Sequence, residues 1–146
     1  MDIWQRLGDI SALRFIARSA KQSGWNGSGE GTVSVAQPSA DTVTFTETGQ
    51  WQTDLGRRVN FSNVFRWSPG ETRDVIRLEH LRFGPDKPVY LFDMDRYDDQ
   101  IWQSTTPHVC GDDVYSAIMN VSVDQIELQW TIKGPKKDED IRYWYW

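Results

Sequence analysis

The sequence has one cysteine, two histidines, few prolines and no long apolar run. With Cys110 alone, no disulfide can form within the chain, and a zinc site built from thiolates is excluded. A single thiol fits a reducing compartment. No stretch approaches the roughly 18 uninterrupted apolar residues of a membrane-spanning helix. The opening residues Met1-Asp2-Ile3-Trp4-Gln5-Arg6 lack the basic start and apolar stretch of a secretory signal, so the chain reads as cytoplasmic, with no membrane partner. Basic charge is also short, with 16 Lys and Arg against 21 Asp and Glu and a formal charge of −5. Nucleic-acid capture needs a basic face that displaces phosphate counterions, so no nucleic-acid partner is expected. No HExxH zinc motif, nucleophile elbow or phosphate loop occurs. No metal site follows from the sequence, and nothing selects a cofactor.

Internal repeats and proline-rich linkers are missing too, so the 146 residues are expected to form one domain. Aromatic rings are abundant: eight tryptophans run from Trp4 to Trp146. Such rings fill cores and suit strands, or they line a cavity for a flat or apolar ligand. Residues alternate by side at Val59, Phe61, Asn63, Phe65 and Trp67, and again at Ile126, Leu128, Trp130 and Ile132 opposite Gln125, Glu127, Gln129 and Thr131. A period of two with one apolar face marks half-buried antiparallel strands, and Trp130 is expected to be buried with its neighbours. Further strands are expected at 27–36, 42–52, 74–83, 88–94, 100–108, 113–121 and 139–146, separated by Gly, Pro and Asp turn signals. So many strands favour closure, which removes exposed edges. The expected fold is all-β, a single closed or nearly closed antiparallel barrel of about 8–10 strands with a short N-terminal helix. That helix runs to about Leu7, breaks at Gly8 and gives way to a strand over 11–19, although residues 10–20 also fit a helical face.

Two C-terminal patterns are distinctive. His108-Val109-Cys110-Gly111-Asp112-Asp113-Val114-Tyr115 reads HxCxxDxY, and Trp130-Thr131-Ile132-Lys133-Gly134-Pro135-Lys136-Lys137-Asp138 reads WxxxGPxKD. With Phe45-Thr46-Glu47-Thr48-Gly49 and Phe65-Arg66-Trp67, they resemble the uncharacterised, lipocalin-like family known as domain of unknown function 6314. The resemblance implies a calycin-like barrel and supplies no activity. Gly8-Asp9-Ile10 stands in place of a lipocalin-like Gly-x-Trp opening, and Val89-Tyr90-Leu91 about where the family shows a Phe-His pair.

The densest chemistry is His108, Cys110, Asp113 and Tyr115. Across a tight turn at Gly111-Asp112, Asp113 could fix the tautomer of His108 while Tyr115 reaches the same space. The alternative is structural: Asp113 caps the turn, Cys110 is a small apolar residue, and His108 and Tyr115 satisfy one another. Glu47 alternates with Val43 and Phe45, which puts a carboxylate on an apolar face unless it sits at the strand end. His80 shares a face with Ile76 and Leu78. Gly24 to Gly31 do not meet the dinucleotide fingerprint and read instead as a hairpin turn feeding a bent strand. These residues leave two readings open. One is a binding barrel for a small apolar or aromatic ligand, with His108, Cys110, Asp113, Tyr115, Glu47, His80 and Trp130 as candidate contacts; haem held by an inward histidine is a subordinate form of it. The other is an enzyme of the same fold using His108, Asp113 and Tyr115 as acid–base groups. A homo-oligomer stays open.

Overall fold

The computed structural model describes residues 2–20 and 26–146. A six-residue helix, α1 (Ile3–Gly8), precedes eleven strands: β1 (Ala12–Ser19), β2 (Gly27–Ser39), β3 (Thr42–Thr53), β4 (Arg58–Pro69), β5 (Val75–His80), β6 (Val89–Arg96), β7 (Ile101–Gln103), β8 (His108–Cys110), β9 (Asp113–Val121), β10 (Ile126–Lys133) and β11 (Asp138–Tyr145). All pairings are antiparallel and follow chain order except that β7 pairs with β9 rather than β8, and β11 pairs with β1 to close the sheet. β7 and β8 share one edge of β9, so the barrel has ten staves.

The expected helix and first strand are present, with the helix running one residue further than expected, through Gly8 to a break at Asp9. Gly24 and Trp25, part of the glycine-rich turn, lie outside the described residues. The segment 100–108, expected as one strand, is two. Four residues, 104–107, pass opposite only two positions of β9, because Gln103 pairs with Ile118 and His108 with Tyr115. The surplus leaves the ladder: Pro107 has no N–H to give, and the Ser104 hydroxyl takes the Ala117 N–H at 2.8 Å.

Alternation decides what each strand buries. Leu13, Val43, Phe45, Trp67, Ile76, Leu78, Phe92, Met94, Met119, Ile126 and Leu128 fill one end and the middle of the barrel, and are almost wholly removed from water. α1 plugs that end with Ile3, Trp4 and Leu7, held by the Asp2 side chain accepting the Trp4 N–H at 3.0 Å and by Arg6 donating to the Ser122 carbonyl. Outside, Arg66–Glu79 at 3.1 Å and Arg77–Asp93 at 3.0 Å tie β4, β5 and β6 in register. Trp130 corrects one expectation: it is half-buried rather than buried. Its register partner is Ile141, which lines the open end, so the ring sits where the interior stops being filled.

β2 and β3 approach closely where Gly31 faces Gly49. A Cβ on Gly31 would stand 2.1 Å from the Thr48 carbonyl oxygen, a backbone atom that cannot step aside. Gly31→Ala is therefore expected to cost about 1–3 kcal/mol in urea denaturation. A stability equal to wild type would mean that the two strands can separate there without loss.

Candidate functional site

The inner face between the plug and the open end is a column of rings. Phe45 meets Tyr145 at 5.3 Å, Tyr145 stacks on Tyr143 at 5.4 Å, and Tyr143 meets Phe15 at 5.5 Å, with Phe61 edge-on to Phe15 at 5.3 Å. Each ring comes from strict alternation on β1, β3, β4 or β11. Phe15 fits because Gly29 opposite has no side chain: a Cβ there would lie 2.4 Å from the ring.

Beyond Phe15, Phe61 and Tyr143 the barrel is open. They bound a cavity of about 380 Å³ whose walls include Ala17, Trp51, Asn63 and Ile141. Its polar groups are few. Ser19 contributes a hydroxyl that is shielded from water and has no hydrogen-bond partner. Glu139, paired in register with Ser19, stands at the wall. Arg18 also borders the cavity, but its guanidinium is taken by Asp54 at 3.1 Å.

Glu47 is the register partner of the cavity residue Asn63 and does not itself line the cavity. It is 0% exposed, the one acid among the buried residues of the core. Tyr145 donates its hydroxyl hydrogen to Glu47 Oε2 at 2.7 Å, while Oε1 has no partner. Burial penalises the charged form and pushes the carboxyl up to about 7; the bond from Tyr145 works against that and is outweighed. Burial also pushes the hydroxyls of Tyr143 and Tyr145 up, and the nearby Glu47 charge adds to it. The arrangement can therefore hold or release one proton near neutrality at the base of an aromatic cavity.

The sequence matches the family of unknown function DUF6314 over residues 8–146. The chain belongs to that family. The patterns at 108–115 and 130–138, which first resembled DUF6314, form the β8–β9 hairpin and the strand β10 with its turn into β11. No curated protein matches the chain. Two solved structures similar to this DUF6314 barrel are described as bound to DFHBI. One, named EF1p2_mFAP2b, is 11% identical, with 97% of this chain and 94% of that chain covered and a TM-score of 0.46. The other, a redesigned barrel named mFAP1, is 10% identical, with 98% and 97% covered and a TM-score of 0.45.

The residues singled out from the sequence do not converge. Across Gly111, at φ 62°, Cys110 pairs with Asp113 and His108 with Tyr115, so the hairpin forms. The His108 ring lies edge-on to Tyr90 at 4.6 Å and 6.0 Å from Tyr115. Asp113 turns away to Lys137, 3.8 Å off, and Cys110 is exposed. Among the described residues no hydrogen bond joins His108, Asp113 and Tyr115. His108 instead borders an outer groove with Tyr90, Asp93 and Thr105. His80 stacks on Phe65 at 4.8 Å, and burial draws its imidazole down from its ordinary value. Trp130 packs toward Phe92 at 6.0 Å. None of these borders the mouth cavity.

Sequence reasoning missed Phe15, Ser19, Phe61 and Tyr145 as site residues. For Phe61 the signal was present in the alternation from Val59 to Trp67; Phe15 and Ser19 lie in a segment that also fitted a helical face, and Tyr145 in a tail with rings on both faces. His108→Ala is expected to cost only about 0.5–1.5 kcal/mol, the worth of its edge-on contact with Tyr90. Thermal unfolding checks it, and a loss above about 3 kcal/mol would reveal a structural network centred on this ring.

Proposed function

We propose that the chain is a binding barrel for one small, flat, mostly apolar molecule seated in the open mouth. The cavity of about 380 Å³ bounded by Phe15, Phe61 and Tyr143 carries this reading. Small-molecule sites are concave, ring-lined and sparing in polar groups. The other end is filled and plugged by α1, so a ligand would enter on the side of Trp51 and Ile141. A calycin-like kinship and a cytoplasmic setting belong to the same proposal. The N-terminal helix plugging one end supports the first, and the single thiol of Cys110 the second.

Titration with N-phenyl-1-naphthylamine, a neutral dye that brightens in apolar surroundings, tests it. Saturable brightening is expected with wild type. Ala17→Trp fills the mouth with a ring and is expected to weaken the dye by about tenfold or more, with unchanged thermal unfolding. No saturable signal, or equal affinity in the variant, would overturn the proposal.

A further inference from the structure

We infer that the mouth cavity selects planar aromatics bearing a hydrogen-bond-donating, basic nitrogen, with Glu47 and Glu139 as the groups that recognise it. This rests on the binding reading above and narrows it to one chemical class.

Three observations carry it. First, the charged residues at this cavity are of one sign in effect. Glu139 stands in the wall and Glu47 is the register partner of the wall residue Asn63, whereas the bordering base, Arg18, is ion-paired through Nη1 with both carboxylate oxygens of Asp54 at 3.1 and 3.2 Å. Second, the buried acceptor has spare capacity. Glu47 Oε2 receives the Tyr145 hydroxyl, but Oε1 is shielded from water and unpartnered, which is costly until a donor arrives. Third, the Ser19 hydroxyl, also shielded and unpartnered, lies in the same wall beside Glu139. A ligand carboxylate would meet the Glu139 side chain and, among the described residues of the cavity wall, no cation without an ion-pair partner. A ring nitrogen or aryl amine that donates would satisfy Glu47 or Glu139 and let the Ser19 hydroxyl bond as well. The rings of Phe15 and Tyr143, 5.5 Å apart and inclined by 34°, supply the apolar surface against which such a ring lies.

The test compares three two-ring probes of nearly equal size by calorimetry: 4-aminoquinoline, which is cationic at neutral pH, neutral 1-naphthamide and anionic 1-naphthoate. Wild type is expected to bind 4-aminoquinoline about tenfold or more tightly than 1-naphthoate, with 1-naphthamide between them. Glu47→Gln keeps the shape and the acceptor for Tyr145, and is expected to shrink that preference; Glu139→Gln, nearer the solvent, should shrink it by less. Equal affinities, or 1-naphthoate binding most tightly, would overturn the inference while leaving the binding barrel in place. So would a preference that survives both substitutions. If N-phenyl-1-naphthylamine also fails to bind, the binding reading falls with it.

Discussion

The free energy of unfolding is expected to drop by about 3 kcal/mol as pH rises from 4.5 to above 7, because of one side chain. The carboxyl of Glu47 has an ordinary value of 4.5 in the unfolded chain and about 7 in the barrel. Below pH 4.5 it is protonated in both states and costs nothing. Between the two values the unfolded chain releases the proton and the folded chain keeps it, so each added pH unit favours unfolding by about 1.4 kcal/mol. Above 7 both states are ionised, and the penalty stays at its full size. Glu47→Gln removes this titration while keeping an acceptor for Tyr145. Urea denaturation of wild type and variant across that window isolates the effect: their difference should shift toward the variant as pH rises. Parallel pH profiles would mean that the Glu47 carboxyl is not held protonated by burial.

Trp67→Ala is expected to cost about 3–5 kcal/mol, enough to consume much of the stability of a domain this size. The ring is 1% exposed, meets Phe45 edge-on at 5.6 Å and belongs to the filled end beneath α1. Its removal leaves a void that neighbours on three strands cannot close. Trp130→Ala should cost less, about 1–3 kcal/mol, because the ring is only half-buried. Denaturant midpoints for the two variants decide the order. A larger loss at Trp130 would place the densest packing at the mouth instead of the plug.

These contrasts show what the sequence could reveal. Alternation at Val59 to Trp67 and at Ile126 to Ile132 located strands and inward faces, since side-chain direction in a strand is a local property. It could not tell depth along the barrel. Trp67 and Trp130 alternate alike, yet one ends in the filled half and the other near the mouth, a difference set by which strands lie opposite. The candidate site suffered more. His108, Cys110, Asp113 and Tyr115 drew attention because they are close in sequence and rich in chemistry, but Asp113 leans to Lys137 and His108 to Tyr90. Glu47 was legible as an inward acid. Its partner Tyr145 was not, because the two are 98 positions apart and meet across the interior of a closed sheet.

The split stave gives the cylinder a line of least resistance. β6 and β7 share only two paired positions, Asp95 with Gln103 and Arg96 with Trp102. Higher up, β8 bonds to β9 and makes no ladder with β6, so side chains such as Tyr90 and His108 bridge where backbone bonds elsewhere do the joining. The ladder between β3 and β4, by contrast, runs through ten register pairs. A cylinder with one lightly stitched hem is expected to open there first, so hydrogen exchange should find its fastest strand amides on the facing edges of β6 and β8, away from the ring column.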